Sequence, residues 1–233
     1  MTGFVVTPPP QTSLPVVGTS VRFPVRRVYC VGRNYLAHVR EMKGNADERD
    51  PPFFFQKPAD AIVHDGGVSP YPPGTADLHH EVELVVAIAK GGRNIPVQSA
   101  HEHVYGYGVG VDLTRRDLQA VAKNKGWPWE MGKSFDHSAP IGALSPAAVV
   151  GHGSRRIRLK VNGVVRQDST TEHMTWSVAE IIAELSKQYE LHAGDVIMTG
   201  TPEGVGAVVA GDRIEAEVEG LATLTVTIGP EAT

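Results

Sequence analysis

Short runs of strand-forming residues recur along almost the whole chain. They are rich in Val, Ile, Tyr and Phe and are bounded by Gly, Pro, Asn or Asp, which is the pattern of β-strands separated by turns. The predicted strands cover residues 27–31, 53–56, 81–89, 104–112, 156–161, 164–167, 196–199, 213–218 and 222–228. Strands and helices do not alternate along the sequence, so a parallel α/β fold is not expected. The chain is therefore predicted to be mainly β with few helices, in the α+β class.

Three segments carry helical signals, and they cover residues 35–43, 114–124 and 177–190. Ser177 and Glu180 form a capping-box pattern at the start of the last segment, where apolar residues also recur at helical spacing. Thr114 is the expected N-cap of the second segment and Asn34 that of the first.

A chain of 233 residues is long enough for a large core and fits one domain. Residues 1–24 contain a run of prolines at positions 8–10 and are predicted to form an irregular N-terminal arm. Residues 25–233 are predicted to form a single domain.

The composition excludes several classes of protein. Lys and Arg total 22 against 26 Asp and Glu, a formal net charge of −4, which argues against a nucleic-acid-binding protein. No apolar run approaches the ~18 residues of a membrane span, and no export signal is visible. The single cysteine, Cys30, excludes an intramolecular disulfide and lies in an apolar run typical of a core residue. A cytoplasmic enzyme or binding protein is expected.

The strand predicted for residues 81–89 carries two carboxylates in the segment HHEVELVV. Side chains alternate on a strand, so Glu81 and Glu83 point to one side while Val82 and Leu84 point to the other. Two such close carboxylates raise each other's pKa unless a cation compensates them, and oxygen donors without thiolates favour Mg²⁺ or Mn²⁺. Asp112, at the end of a predicted strand, is the candidate third ligand. A solvated sheet face followed by a turn explains the same residues, because Glu-x-Glu is a weak motif.

Residues 32–42, GRNYLAHVREM, contain a candidate proton-transfer pair. His38 and Glu41 are three residues apart and share a helical face, where a carboxylate orients an imidazole as a general base. Gly32 and Gly44 flank the segment, which can then move as a lid. An ordinary His–Glu contact on a surface helix is the alternative.

Other polar residues are candidates for contacts to a substrate. Lys133 follows a glycine in an aromatic setting and can hold a carboxylate or a developing oxyanion; its alternative is a surface lysine. The loop TGTPEGVG at residues 199–206 can cradle an anion with backbone N–H groups and the Thr201 hydroxyl, or can be a structural turn. Arg116 and Gln119 lie three residues apart on a predicted helix and can face one pocket.

Six segments together resemble the fumarylacetoacetate hydrolase family, and within it the acylpyruvase and fumarylpyruvate hydrolase branch. They are VGRNYLAHVREM, FFFQKPADAIV, LHHEVEL, GVDLTRRDLQ, MGKSFDHSAPIG and GDVIMTGTPEGVG, in order between residues 25 and 228. Several motifs at matching spacing make this resemblance specific, and it covers nearly the whole chain.

The resemblance implies a mixed-sheet β-roll or barrel in a single catalytic domain over residues 25–233, usually assembled as a homodimer. It implies Mg²⁺ or Mn²⁺ held by Glu81, Glu83 and Asp112. The implied catalytic residues are His38, Glu41, Lys133 and Gln119, and the implied substrate-binding residues are Arg33, Tyr35, Arg116, Gly200 and Thr201. Leu36 and Ala37 depart from the family pattern inside the lid segment, where an acid is common.

The implied reaction is hydrolysis of a carbon–carbon bond in an acylpyruvate, with fumarylpyruvate of gentisate catabolism favoured. The metal would hold the pyruvate end, His38 with Glu41 would activate water beside Gln119, and Lys133 would stabilise negative charge. Oxaloacetate decarboxylation, isomerisation of a hydroxymuconate and a non-catalytic metal-binding scaffold are the alternatives. The acyl tail and the choice between Mg²⁺ and Mn²⁺ stay open.

Overall fold

A computed structural model of the chain describes residues 3–42 and 49–231. In chain order, the strands are β1 (Ser13–Pro15), β2 (Arg22–Pro24), β3 (Arg27–Gly32), β4 (Phe53–Lys57), β5 (Ile62–Val63), β6 (Val68–Tyr71), β7 (Leu78–His80), β8 (Val82–Ile88), β9 (Val104–Val111), β10 (Thr114–Arg115), β11 (Ala139–Pro140), β12 (Ser145–Pro146), β13 (Arg156–Val161), β14 (Val164–Thr170), β15 (Asp195–Met198), β16 (Gly206–Ala207), β17 (Arg213–Val218) and β18 (Leu224–Glu231). Each predicted strand corresponds to one of them, with ends displaced by up to three residues.

Among the described residues, helices are fewer than strands. The α-helices are α1 (Leu36–Glu41), α2 (Arg116–Lys125), α3 (Glu130–Lys133), α4 (Ala147–Val150) and α5 (Val178–Gln188). Single turns of 3₁₀-helix cover Ala59–Ala61 and Thr171–His173, and a longer 3₁₀ segment covers Val97–His103. The prediction of a mainly β chain with few helices is confirmed. Within the described residues, no helix has the length and apolar character needed to cross a membrane.

Two large sheets carry the fold. One has six strands in the order β12-β9-β8-β15-β3-β4, and the other has five in the order β14-β13-β17-β18-β6. Each contains one parallel pair, β15 with β3 and β18 with β6, among antiparallel neighbours. The sheets are therefore mixed, as predicted, but over residues 3–42 and 49–231 neither closes into a barrel.

The larger hydrophobic cluster joins the two sheets and α5. Val82, Leu84, Val86 and Ile88 of β8 all contribute to it. The alternate residues Val85 and Ala87 belong to a second cluster, which also contains Cys30. Both faces of β8 are thus buried, and Glu81 and Glu83 lie on the side of Val85 and Ala87.

The N-terminal segment is more ordered than the irregular arm expected from its prolines. β1 and β2 pair antiparallel, with Leu14 opposite Phe23. Both side chains are buried in the second cluster, and the Val17 N–H donates to the Leu144 carbonyl at 2.9 Å. Apolar residues that alternate with the prolines and polar residues therefore fix residues 13–24 onto the six-stranded sheet.

One of the three predicted helix N-cap residues is found at the start of its helix. The capping box of Ser177 and Glu180 is present on α5. Thr114 lies in β10 rather than at a helix cap, and α2 begins after Arg115. Asn34 does not cap α1, which begins after Tyr35. The predicted end of that helix at residue 43 lies outside the described residues.

Asn34 has a tertiary role in place of the expected cap. Its amide N–H groups donate to the carbonyls of Thr199 at 2.8 Å and Trp176 at 3.0 Å, and its carbonyl accepts the Trp176 N–H at 2.8 Å. The side chain thus fixes the segment before α1 to two distant loops.

We expect Gly106→Ala to destabilise the fold, because a Cβ at this position in β9 would lie 2.4 Å from the Ser145 carbonyl oxygen. Overpacking of this kind costs about 1–3 kcal/mol. Urea unfolding of Gly153→Ala provides the control, since a Cβ there meets nothing within 4 Å. Equal free energies of unfolding for the two variants would contradict the close packing at Gly106.

Candidate metal centre and active site

Three buried carboxylates meet where β8 begins and β9 ends. The two strands are antiparallel neighbours with Val82 opposite Val111, and the Asp112 N–H donates to the Glu81 carbonyl at 2.8 Å. This register places Asp112 beside Glu81 and Glu83. One carboxylate oxygen from each acid lies within 4.8 Å of the other two. The structure thus brings the whole predicted ligand set together.

Lys133 lies between two of these carboxylates. Its Nζ donates to Glu81 Oε2 at 2.9 Å, to Asp112 Oδ2 at 2.6 Å and to Thr114 Oγ1 at 2.7 Å, so all three N–H donors of the ammonium group are used. Burial lowers the pKa of Lys133, but the charges of Asp112 and Glu81 outweigh burial and raise this pKa above its ordinary value. Lys133 therefore neutralises and braces the acidic residues, and its expected contact with substrate charge stays a prediction.

Lys57 is a second buried lysine at this cluster, and sequence analysis did not assign it a role. Its Nζ lies 2.9 Å from Asp112 Oδ1 and donates to the Lys133 carbonyl. Lys57 ends β4, where strand alternation puts it on the same side as Phe53 and Phe55. A lysine in register with aromatic residues is the sequence signal that marks this position.

Arg116 and Gln119 lie on the same face of α2, as predicted. Arg116 Nη2 donates to Glu81 Oε1 at 2.5 Å, and Nη1 donates to Gln119 Oε1 at 2.6 Å. A guanidinium group only donates, so the Gln119 carbonyl oxygen faces Arg116 and its amide N–H groups are left for other partners. Arg116 therefore supports a candidate metal ligand and orients Gln119.

The two glutamates differ in how their charge is compensated. Burial alone would raise the pKa of Glu81, but the charges of Lys133 and Arg116 lower it below its ordinary value. Burial raises the pKa of Glu83 well above its ordinary value, and the negative charges of Asp112 and Glu81 add to the rise. The charged form of Glu83 is thus disfavoured in the protein alone, and a further positive charge beside it would stabilise that form.

This arrangement fits a divalent cation. All three candidate donors are carboxylate oxygens, which Mg²⁺ and Mn²⁺ prefer. Asp112 Oδ1 is buried and lies 2.9 Å from Lys57 Nζ, whereas no cationic side chain of the described residues pairs with Glu83. A cation held by Glu81, Glu83 and Asp112 would supply the charge missing beside Glu83. The alternative of a solvated sheet face is excluded, because all three acids are buried.

The predicted proton-transfer pair is present on α1. His38 Nδ1 lies 3.2 Å from Glu41 Oε2, and Glu41 also accepts the Gly204 N–H at 3.1 Å. Since a carboxylate only accepts, Nδ1 carries the proton of a neutral His38 and Nε2 is left as an acceptor. Gly44, the second predicted hinge of the lid, lies outside the described residues.

A cavity of about 600 Å³ connects the pair with the acidic cluster. The predicted site residues that line it are Arg33, His38, Glu81, Glu83, Asp112, Arg116, Gln119, Lys133 and Thr201. Glu41 lies behind His38 and is not among the lining residues. The cavity thus contains a candidate general base, a candidate metal site and several donors within one space.

The loop after β15 contains two residues predicted to contact substrate, Gly200 and Thr201. Thr201 lines the cavity, and its Oγ1 accepts from Gln167 Nε2 at 2.8 Å, which leaves the Thr201 O–H as a donor. The Gly200 N–H donates to Glu83 Oε2 at 2.7 Å and is used there. This N–H orients a candidate metal ligand, and the predicted contact of Gly200 with substrate stays a prediction.

Tyr35 and Arg33 are adjacent in sequence to the anchored Asn34 but differ in access to the cavity. Tyr35 is 1% exposed, and its hydroxyl has no hydrogen-bond partner among the described residues. Burial raises the pKa of this hydroxyl above its ordinary value. Arg33 lines the cavity and Tyr35 does not. The predicted contacts of both residues with substrate stay predictions.

Gln167 is a further site residue that sequence reasoning missed. Its carbonyl oxygen accepts the Val82 N–H at 3.0 Å, so it links the start of β8 to Thr201. Gln167 is fully buried on β14, whereas Val164 and Val165 of the same strand are exposed. On this strand the two valines are exposed and the polar glutamine is buried, which is the reverse of what their hydrophobicity predicts. No local signal therefore identifies the glutamine.

Comparison with known proteins agrees with the site. Residues 27–229 match the family described as fumarylacetoacetate (FAA) hydrolase C-terminal. The chain is 47% identical over 178 residues to a fumarylpyruvate hydrolase of Ralstonia sp, covering 76% of this chain and 93% of the relative. It is 41% identical over 201 residues to the mitochondrial oxaloacetate tautomerase FAHD1 of Homo sapiens, covering 86% of this chain and 90% of the relative.

A solved structure supports the fold. The crystal structure of fumarylpyruvate hydrolase from Pseudomonas aeruginosa, in complex with Mn²⁺ and pyruvate, matches with a TM-score of 0.95 and 51% identity. The match covers 98% of this chain and all of the other. The chain belongs to the fumarylacetoacetate hydrolase family.

Proposed function

We propose that this protein is a metal-dependent hydrolase that cleaves a carbon–carbon bond of an acylpyruvate, with fumarylpyruvate as the favoured substrate. The observation that carries the proposal is that the buried acidic cluster and the His38 imidazole open on the same cavity. The likeness to fumarylpyruvate hydrolases at 47% and 51% identity supports the choice of substrate.

Glu81, Glu83 and Asp112 would hold Mg²⁺ or Mn²⁺. Lys57, Lys133 and Arg116 already compensate Asp112 and Glu81, so a bound divalent ion would compensate Glu83 and supply positive charge for the anionic pyruvate half of the substrate.

His38 would act as the general base. Its Nε2 takes a proton from water, and the resulting hydroxide adds to the acyl carbonyl carbon. When the carbon–carbon bond breaks, the acyl part leaves as a carboxylic acid and the pyruvate part as an enolate that takes up a proton. Glu41 stabilises the imidazolium through Nδ1 and, because it also binds Gly204, keeps the ring in position.

Gln119 and Thr201 would orient the reactants. The Gln119 amide N–H groups point away from Arg116 and can donate to the water or to a substrate oxygen. The Thr201 O–H can donate to a substrate carboxylate, because its oxygen already accepts from Gln167. Both are buried side chains fixed by a partner, as precise positioning requires.

Tautomerisation of oxaloacetate is the second candidate function, because a relative with this activity in its name is 41% identical. That reaction moves protons without adding water, whereas hydrolysis releases pyruvate.

We would incubate the protein and Mn²⁺ with fumarylpyruvate or oxaloacetate, follow enol absorbance, and measure pyruvate with lactate dehydrogenase. Pyruvate release from fumarylpyruvate supports hydrolysis; enol loss without pyruvate supports tautomerisation; bound metal with neither change supports a scaffold.

Assembly as a homodimer and residence in the cytoplasm also belong to the proposal. The family resemblance is the basis for the dimer, and the absence of a disulfide partner for Cys30 is the basis for the compartment. Light scattering on the purified chain would give twice the mass of one chain for a dimer.

We expect Glu83→Gln to weaken Mn²⁺ binding by at least about tenfold, since it removes one charged ligand while retaining an acceptor for Gly200. Titration calorimetry would measure the affinity, and pyruvate release would fall in parallel. Glu102→Gln is the control, because Glu102 is an exposed acid on a 3₁₀ segment. Unchanged Mn²⁺ affinity in Glu83→Gln would remove Glu83 from the ligand set.

We expect His38→Asn to lower kcat by about 100-fold or more, the usual contribution of a general base. Mn²⁺ affinity should stay within twofold of the wild type, because His38 contacts Glu41 and not the acidic cluster. His173→Asn, on the exposed turn after β14, is the matched control. A loss of metal binding in His38→Asn would show that the base is misassigned.

We expect Gly204→Ala to lower kcat while Mn²⁺ affinity is retained. A Cβ on Gly204 would lie 2.2 Å from the Arg166 carbonyl oxygen, so the loop must shift and its N–H must leave Glu41. Gly211→Ala separates this effect from backbone strain, because Gly211 has a similar φ of +94° with nothing within 4 Å of the added Cβ. Equal kcat in both variants would refute a role for the Gly204 contact.

A further inference from the structure

We propose that Arg33 and Lys123 form the receptor for a second carboxylate at the far end of the substrate. The chain would then favour acylpyruvates whose acyl tail ends in an acid, and would turn over neutral acylpyruvates less efficiently. This inference rests on the proposed hydrolase function and specifies the substrate class of the same cavity.

The two cations mark the boundary between two connected spaces. The inner cavity contains the acidic cluster. An outer cavity is lined by Phe53 and Trp127, among others. Arg33, Lys123 and Trp129 line both. A substrate held by its pyruvate end at the acidic cluster would therefore direct its tail towards this boundary.

Helix α2 places Lys123 in line with the inner contacts. Arg116, Gln119 and Lys123 follow one another at spacings of three and four residues and so share one face of the helix. Arg116 and Gln119 are buried, whereas Lys123 is exposed at the outer end. The helical rise separates the Cα atoms of Arg116 and Lys123 by about 10 Å, which is the scale of a short extended chain with acidic groups at both ends.

Arg33 approaches the same boundary from a well-fixed backbone. It follows β3 directly and has a φ of +60°, a conformation that is uncommon for a residue with a side chain. The next residue, Asn34, is held by three hydrogen bonds to Thr199 and Trp176. The strained backbone is thus maintained by its surroundings, as is common at functional sites.

Arg33 and Lys123 differ from the other cations of the cavity in that none of the described acidic residues pairs with them. Arg116, Lys133 and Lys57 each pair with a buried carboxylate. Within residues 3–42 and 49–231, no ion pair or side-chain hydrogen bond involves Arg33 or Lys123. Two such cations at one opening would bind a carboxylate through charge-assisted hydrogen bonds.

Aromatic rings line the path between the two ends. The Phe55 ring centroid lies 5.3 Å from Lys133 Nζ, 6.0 Å from the Trp129 ring and 6.3 Å from the Phe53 ring. The Trp129 ring lies 4.8 Å from Phe53. Phe55 belongs to the inner cavity and Phe53 to the outer one. This wall suits a flat, unsaturated tail between the two carboxylates.

The test compares fumarylpyruvate with acetylpyruvate, which has the same reacting groups and a neutral tail. We expect Arg33→Gln and Lys123→Gln each to lower kcat/KM for fumarylpyruvate by about tenfold or more, the effect of losing a hydrogen bond to a charged group. Turnover of acetylpyruvate should change less than twofold, which also shows that each variant is folded. Lys125→Gln is the matched control, because it removes the same charge from α2 at a residue that stacks on Trp127 and lines neither cavity.

The possible results distinguish a failure of the proposed hydrolase function from a failure of the proposed carboxylate receptor. If the wild type releases pyruvate from neither compound, the proposed function fails and the receptor with it. If the wild type cleaves both and the substitutions leave the ratio of the two kcat/KM values unchanged, the hydrolase stands and the receptor is refuted. A tenfold or greater fall in this ratio for Arg33→Gln and Lys123→Gln, with Lys125→Gln unchanged, supports the receptor.

Discussion

The burial of three carboxylates at one end of a strand pair is the constraint on which the rest of the site depends. Isolated charges in a protein interior are too costly to retain, so each must be paired or must bind a cation. Lys57, Lys133 and Arg116 converge on Glu81 and Asp112 for this reason, and they come from three separate segments of the chain. The compensation is uneven, and it leaves Glu83 as the acid that most needs a further positive charge.

Much of the fold followed from strand patterning. Val82, Leu84, Val86 and Ile88 alternate with Glu81 and Glu83 in the sequence, and the structure places the two sets on opposite faces. The prediction failed where a polar side chain serves a distant partner. Thr114 and Asn34 look like helix caps locally, but Thr114 binds Lys133 and Asn34 binds loops more than one hundred residues away. Local propensity contains no information about such partners.

The candidate site was predictable in its acids and less so in its supporting residues. Glu81, Glu83, Asp112, His38 and Glu41 are marked by spacing and by the family resemblance. Gln167 has no local signal, and the alternation of Lys57 with aromatic residues does not identify its partner, because each residue acts through a contact that the tertiary fold creates. Lys133 shows a different limit of prediction from sequence. The sequence identifies the residue, but it does not show that all three N–H donors of its ammonium group are used by side chains of the protein itself.

The register between β8 and β9 links folding to chemistry. A slip of one residue would turn Glu81 and Glu83 into the space of Val82 and Leu84, and would move those apolar side chains to the other face. The same error would therefore disrupt the hydrophobic core and, at the same time, move the candidate metal ligands away from Asp112. A chain with this register error would lose stability together with its candidate metal ligands. Proteases that degrade unstable proteins would therefore also remove the copies that cannot bind the metal.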